Sequence, residues 1–244
     1  MSRALTAAGP VTRANAPFAF EQVLRVESTS GSYLEQRTDG VYEPSAGRVA
    51  LRITSEGDGA VAFSGSTVTP GTEVGIVIDG DRVLLRVDLD NVVDGSWTSV
   101  NPGSDGPTVE SAVSILGAAL LADVNRAEVI GPDTVGGVPV THYRIPAPAG
   151  DLAVYLPTET LDVLLDAGFR REVVDGDAMV DAWLDDEGRI RRLVVDYLPL
   201  IEAMVGRGLD EGSTVSAMTH TFTVVAFGEV SVEVPEIGEG SEEG

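Results

Sequence analysis

The chain of 244 residues carries a formal net charge of −23 at pH 7, which argues against nucleic acid as a partner because there is no basic surface to displace counterions from a phosphate backbone. Its 43% of hydrophobic residues excludes a largely disordered protein, and no apolar run approaches the roughly 20 residues that a membrane-spanning helix needs. The length suits one globular domain.

Several kinds of chemistry are excluded by residue types that the sequence lacks. It has no cysteine and no lysine, so its 16 basic residues are all arginine. Disulfides, thiolate catalysis, thiolate metal sites and Schiff-base chemistry are therefore ruled out. Only His142 and His220 could supply imidazole ligands, too few for a typical catalytic zinc site. We expect no cofactor, no metal and no catalytic residue.

The two ends of the chain have compositions typical of unstructured segments. Residues 1–16 are small and polar and lack the apolar stretch of a signal peptide, so we expect a flexible tether. Residues 235–244 are rich in glutamate and glycine, and we expect an acidic disordered tail. A single domain over residues 17–234 lies between them.

Alternating apolar and polar residues predict a meander of antiparallel strands from residue 17 to residue 100. On the first strand Phe18, Phe20, Gln22, Leu24 and Val26 alternate with Ala19, Glu21, Val23, Arg25 and Glu27, and on a later strand Val83, Leu85, Val87 and Leu89 recur at every second position. One face of this meander is therefore apolar.

A helical pattern begins after residue 107. Val109, Ala112, Val113, Leu116 and Leu120 share one face of a helix that has scarcely any polar side. A helix that is apolar almost all round is buried, so it lies between other elements or against a ligand.

The remaining pattern mixes strands with two shorter helices. Helices are predicted at 158–167 and 199–207, and strands at 124–131, 138–145, 151–156, 170–174, 178–197 and 214–234. The total is about 10 to 11 strands and about three helices, an α+β arrangement.

Residues 181–197, DAWLDDEGRIRRLVVDY, predict a β-hairpin with an acidic tip. Asp185, Asp186 and Glu187 precede Gly188, a residue able to take positive φ, and we expect these acids to point into water. The acids here and around Asp88 do not match the spacing of a calcium-binding EF-hand loop.

Two segments resemble a known family. VIGPDTVGGVPVTHYRI at 129–145, followed by the hairpin at 181–197, is similar to the actinobacterial envelope lipoproteins of the LppX and LprG type, within the LolA/LolB-like half-barrel superfamily. The resemblance covers roughly residues 18–234.

The resemblance implies a strongly curved antiparallel half-barrel with helices packed on its concave face. An apolar cavity between sheet and helices holds the acyl chains of lipids or glycolipids in such proteins. These relatives also start with a signal peptide and a lipidated cysteine. Here residues 1–16 would be the remnant of a tether that follows such an anchor, unless this member is soluble or located elsewhere.

The resulting hypothesis is a non-enzymatic lipid or glycolipid carrier of the cell envelope, extracytoplasmic and membrane-anchored in its native form. We expect a monomer, with an envelope protein or membrane transporter as a further partner. The candidate cavity-lining residues come from the three helices and the sheet: Val113, Leu116, Leu120, Leu164, Leu165, Ile201, Met204, Val205, Leu85 and Val87.

Alternatives remain open at this point. Each of these residues would also serve as ordinary core. His142 could donate to a lipid headgroup or be structural, and His220 lies in an apolar alternation that favours a core or cavity-rim position. A sensor module that binds a protein partner on the same fold is the main alternative function. An acid-dependent hydrolase with two convergent carboxylates is a more remote one.

Overall fold

The computed structural model describes residues 2–57, 71–89, 95–101, 108–117, 126–148, 152, 177–199 and 215–236. Its strands are β1 (Phe18–Ser28), β2 (Tyr33–Glu43), β3 (Arg48–Gly57), β4 (Thr72–Asp79), β5 (Arg82–Leu89), β6 (Thr98–Val100), β7 (Glu128–Val135), β8 (Val138–Pro148), β9 (Asp177–Leu184), β10 (Ile190–Asp196) and β11 (Val215–Phe227). Helix α1 spans Ser2–Ala14, and short 3₁₀ helices span Pro44–Ala46 and Ser111–Gly117.

All eleven strands form one antiparallel sheet, in the order β6-β5-β4-β3-β2-β1-β11-β10-β9-β8-β7. Two meanders, β1 to β6 and β7 to β11, are joined where the first strand pairs with the last. The curved sheet stays open, with β6 and β7 at its edges. The predicted strand number and antiparallel architecture are therefore confirmed.

Local sequence explains the tight connections between strands. Gly136 and Gly137 link β7 to β8 with φ of 56° and 81°, which suits the two-residue turns that match the twist of antiparallel strands. Gly80 connects β4 to β5 with φ of 61°.

Aromatic side chains fill the junction between the two meanders. Five rings lie with neighbouring centroids 5.1 to 6.4 Å apart: Phe18, Phe20, Tyr42, Phe222 and Phe227. Phe20 depends on a glycine opposite, because a Cβ on Gly40 would lie 2.3 Å from its ring. Edge-on and stacked contacts of this kind add to the free energy gained by burying the rings.

The expectation of a flexible tether at residues 1–16 is wrong. Residues 2–14 form helix α1, and Leu5 and Ala8 are 1% exposed within the main core. Thr12 fastens the helix to the sheet, since its hydroxyl accepts a hydrogen bond from the backbone N–H of Ile190 at 2.7 Å. Apolar and polar contacts together therefore make this segment part of the domain.

The apolar segment after residue 107 forms a 3₁₀ helix in its described part, not the predicted α-helix. Ser111–Gly117 is interrupted at Val113, whose backbone angles are not helical. The segment nevertheless lies where a buried helix was expected, with Val113 and Leu116 fully buried. It also meets α1 closely, because a Cβ on Gly9 would lie 2.6 Å from the carbonyl oxygen of Leu116.

The other predicted elements have different outcomes. The helices at 158–167 and 199–207 and the strand at 170–174 lie outside the described residues, as does nearly all of the strand at 151–156. The strand predicted at 214–234 ends at Phe227, and Val232 beyond it packs on the outer side of the sheet against Val77 and Leu84.

The acidic tail lies outside the described residues from position 237 onward. In the part of the chain that is described, no helix has both the length and the apolar character to cross a bilayer.

Replacing Leu5 by Ala should lower the free energy of unfolding by about 2–5 kcal/mol, because it removes a fully buried side chain from the core. Chemical denaturation followed by circular dichroism measures the change. Ala14→Ser, at an exposed position on the same helix, is the control and should change stability by less than about 0.5 kcal/mol. Equal stability of the Leu5→Ala variant and the wild type would contradict the docking of α1.

Candidate functional site

Strand pairing divides the sheet into an inner face, which α1 and residues 111–117 cover, and an outer face. Every charged residue that has a partner in the described strand pairings lies on the outer face, for example Arg52 opposite Gly75 and Arg144 opposite Asp181. The inner face of these strands is uncharged. Because burying an unpaired charge is costly, such a face suits apolar contacts alone.

The inner face is packed differently in its two halves, strands β8 to β11 and strands β3 to β5. On β8 to β11 the central side chains are almost completely buried, as Ile145, Val180, Leu193 and Phe222 show. On β3 to β5 the row formed by Val49, Ile78 and Val83 is also buried, but the two rows beside it are only half-buried. Two cross-strand rows make up this half-buried set: Leu51, Ile76 and Leu85, and Ile53, Val74 and Val87.

The candidate cavity residues are distributed accordingly. Leu85 and Val87 point to the half-buried part of the inner face, as a lining role requires. Val113 and Leu116 are completely buried in the main core. Six candidates lie outside the described residues: Leu120, Leu164, Leu165, Ile201, Met204 and Val205.

Polar groups continue the second row across β2 and β1. Val87, Val74 and Ile53 are followed in register by Thr38 and then by Gln22. Gln22 donates from Nε2 to the backbone carbonyl of Ala112 at 2.7 Å, and its Oε1 lies 3.0 Å from Nε2 of His220. From β5 to β1 the row thus changes from apolar to polar, and beyond β1 it continues in the core as Phe222 and Leu193.

His220 is a buried inner-face residue, only 7% exposed, and lies opposite Leu24 and Val195. Burial lowers the pKa of His220 to about 4, because the charged imidazolium would lose its hydration. The side chain is therefore neutral at physiological pH. The core or cavity-rim position expected for His220 agrees with this placement.

The other histidine lies on the outer face. The His142 ring stacks on Trp183 with centroids 4.1 Å apart, and its Nε2 lies 2.7 Å from Oδ1 of Asp181. Trp183 in turn donates from Nε1 to Asp133 at 2.9 Å. His142 thus links the two hairpins at 129–145 and 181–197. Because it lies on the outer face, it does not contact the inner face of the sheet.

A cavity of about 490 Å³ lies on the outer face, over strands β2 to β5. Its floor includes Val41, Ala50 and Val77, and Trp97 packs so closely over Gly75 that a Cβ there would lie 2.8 Å from the indole. Arginines on its rim are paired, since Glu73 bridges Arg52 at 2.6 Å and Arg86 at 2.7 Å. Both arginines on the rim therefore have acidic partners within the fold.

Comparisons with known proteins identify the fold. LprF from Mycobacterium bovis superposes with a TM-score of 0.56 at 11% sequence identity, over 96% of this chain and 95% of that one. The chain has the LprF fold. LppX from Mycobacterium tuberculosis gives a TM-score of 0.46 at 12% identity, covering 94% of this chain and 98% of that one. No family model matches the sequence, and no curated protein matches it either.

The LprF-type fold confirms the curved antiparallel sheet that the two resembling segments predicted. Their hairpins, β7–β8 and β9–β10, are adjacent in the sheet through the β8–β9 pairing. The resemblance therefore pointed to one continuous half of this fold.

The acidic tip of the β9–β10 hairpin is only partly solvated. Asp186 and Glu187 are exposed, as expected, but the expectation that Asp185 points into water is wrong, since its side chain is 1% exposed. Its Oδ2 accepts hydrogen bonds from Nε of Arg189 and of Arg191, each at 2.8 Å. Asp185 therefore stabilises this hairpin of the LprF-type fold by binding two arginines within the hairpin, which is a structural role.

The pKa of the Asp185 carboxyl group is lowered overall, because its hydrogen bonds have a larger effect than its burial. Burial alone would raise the pKa of Asp185, but the backbone N–H of Arg189 and the Arg191 and Arg189 side chains lower it. Both guanidinium groups also lie over Phe227, 4.7 and 4.6 Å from the ring centroid. The described residues hold no cluster of three or more metal-ligating side chains, here or elsewhere.

The inner-face hydrogen bonds of Gln22 and the burial of Asp185 are two polar features that the sequence pattern did not reveal. Gln22 interrupts the apolar series Phe18, Phe20, Leu24 on a strand whose face is otherwise buried or half-buried. A polar residue in such a series is a usable signal, because buried amides need hydrogen-bond partners.

Replacing Asp185 by Asn should destabilise the protein by about 3 kcal/mol or more at pH 7, because it leaves two largely buried guanidinium groups without their carboxylate. Denaturant titration measures this loss. As the pH falls below about 4, the ordinary value for Asp, the unfolded chain binds a proton at this position before folded Asp185 does, because the folded pKa is lowered. The difference in stability between the two proteins should therefore shrink from about pH 4 downward.

The matched control is Asp186→Asn at the exposed neighbouring position, which should change stability by less than about 0.5 kcal/mol. Equal losses for the two variants would show that Asp185 is not the residue that closes the hairpin.

Proposed function

We propose that the protein is a non-enzymatic carrier of a lipid or glycolipid in the cell envelope, with acyl chains held on the inner face of the sheet. The observation that carries this proposal is the half-buried apolar surface of β3 to β5 on a face without charged residues in the described pairings. The fold shared with LprF supports it as a scaffold of the same shape.

The size of the hydrophobic effect makes such a surface sufficient for binding. At about 0.8 kcal/mol per buried CH₂ group, one long acyl chain contributes on the order of 10 kcal/mol before costs. Loss of translational and conformational freedom reduces that figure substantially. An apolar slot therefore needs few polar contacts to hold an amphiphile.

The covering elements supply a route for loading and release. Residues 111–117 pack against the inner face through short 3₁₀ turns, which hold fewer and less regular hydrogen bonds than an α-helix. We propose that displacement of this helix or of a neighbouring loop admits the acyl chains, and that the headgroup stays near the opening.

Location and partners follow from the same proposal. A carrier in the cell envelope takes its lipid from one membrane component and delivers it to another, so an envelope protein or membrane transporter is the expected partner. We propose that the native protein is an extracytoplasmic, membrane-anchored monomer. The absence of cysteine and lysine chemistry supports a carrier more than an enzyme.

Organic extraction of protein purified from envelope-bearing cells, followed by mass spectrometry, should recover an acyl-chain amphiphile. Val87→Phe should lower the bound amount about tenfold, because the added volume occupies the half-buried surface where the chain lies. Quantitative mass spectrometry at equal protein concentration measures the ratio.

Val225→Phe is the control, since Val225 is 64% exposed and borders the outer cavity instead. It should leave the inner-face lipid unchanged. Failure to recover any lipid together with no binding of added glycolipid would refute the carrier function. Loss of lipid in Val225→Phe but not in Val87→Phe would move the site to the outer face.

A further inference from the structure

Three groups form a hydrogen-bonded chain across the inner face, and their chemistry determines where its protons lie. The carbonyl oxygen of Ala112 can only accept, so the Gln22 group 2.7 Å away must be its NH₂. The Gln22 oxygen then faces Nε2 of His220 at 3.0 Å and can only accept. Nε2 of His220 therefore carries the proton.

This tautomer leaves the other ring nitrogen as a bare acceptor. In a neutral imidazole one nitrogen donates and the other accepts, so Nδ1 of His220 offers a lone pair. Nδ1 is buried and has no hydrogen-bond partner. A buried acceptor without a donor costs free energy, and a ligand that supplies a donor removes that cost.

The position of His220 connects it to the proposed acyl-chain surface. Its partner Gln22 lies on β1 in the cross-strand row that starts at Val87 and passes through Val74, Ile53 and Thr38. Beyond Gln22 the row continues into the packed core at Phe222. Neighbouring strands lie about 4.8 Å apart, so the row from β5 to β1 is roughly 19 Å long. An amphiphile along this row would have its chain on β3 to β5 and its polar end beside Gln22 and His220.

The surroundings restrict the chemistry of that polar end. A carboxylate or phosphate group offers acceptors only, and the inner face of the described strand pairings has no cation to neutralise it. Burial keeps the pKa of His220 near 4, so the imidazole does not become such a cation at neutral pH. A hydroxyl group is uncharged and donates one hydrogen bond.

We propose that Nδ1 of His220 accepts a hydrogen bond from a hydroxyl group of the bound amphiphile, so that the inner face selects uncharged lipids carrying glycerol or sugar hydroxyls. This inference rests on the proposed carrier function and names the ligand class of the same site. Gln22 acts as a positioning residue, because its oxygen holds the His220 tautomer that leaves Nδ1 free.

The test compares two probes of equal chain length, 1-decanoylglycerol with free hydroxyls and methyl decanoate without them. Isothermal titration with the full chain should show about tenfold tighter binding of decanoylglycerol, as expected for one added hydrogen bond to a desolvated acceptor. In His220→Leu the ratio of the two affinities should fall to about one, because the acceptor that distinguishes the two probes is gone.

A measurement on the wild type decides the matter if His220→Leu does not fold. In protein labelled with ¹⁵N-histidine, the Nδ1 resonance of His220 should move when decanoylglycerol binds and should not move with methyl decanoate. His142, the other histidine of the chain, lies on the outer face and serves as the internal reference.

The outcomes separate the two proposals. Binding of neither probe would overturn the carrier function itself. Equal affinity for both probes, with an unchanged His220 resonance, would overturn the role of His220 and leave the carrier function standing. Tighter binding of decanoate anion than of decanoylglycerol would also overturn the selection for hydroxyl groups.

Discussion

The two-residue period of the strands is the constraint on which the structure depends, and only isolated bulges in the β1–β11, β9–β10 and β7–β8 pairings interrupt it. Successive side chains of a strand point to opposite faces, so a shift of one residue would exchange the two faces completely. In the described pairings this period places all charged residues outside and leaves the inside uncharged. For a protein with a net charge of −23, that separation is what permits an apolar interior face across eleven strands.

The uncharged inner face has a different role at the β1–β11 junction and on β3 to β5. Around the β1–β11 junction, aromatic rings, α1 and residues 111–117 close the surface completely, which gives the domain its core. On β3 to β5 two rows of the same uncharged face remain half-buried, and the polar pair Gln22 and His220 lies where these rows meet the core. One face therefore provides stability on one side and a candidate binding surface on the other.

Features set by local pattern could be predicted from the sequence, and features set by distant contacts could not. The β9–β10 hairpin and its glycine turn followed from alternation and turn chemistry, as did the apolar face that carries Leu85 and Val87. Helix α1 was missed because small residues and Pro10 suggested a tether, although Leu5, Ala8 and Thr12 have helical spacing. What holds the helix in place is the N–H of Ile190, 178 positions away from Thr12. The burial of Asp185 likewise depends on the conformations of the Arg189 and Arg191 side chains, which the periodicity of the sequence does not determine.

The claim that the half-buried part of the inner face binds hydrocarbon is tested most directly by methyl-labelled NMR with a bound lipid. Intermolecular nuclear Overhauser effects between acyl-chain protons and labelled methyl groups report contacts residue by residue. If hydrocarbon lies on this surface, such effects should occur at Ile53, Val74 and Val87, and none should occur at Val225 on the outer face. Contacts at Val225 without any at those three residues would contradict it.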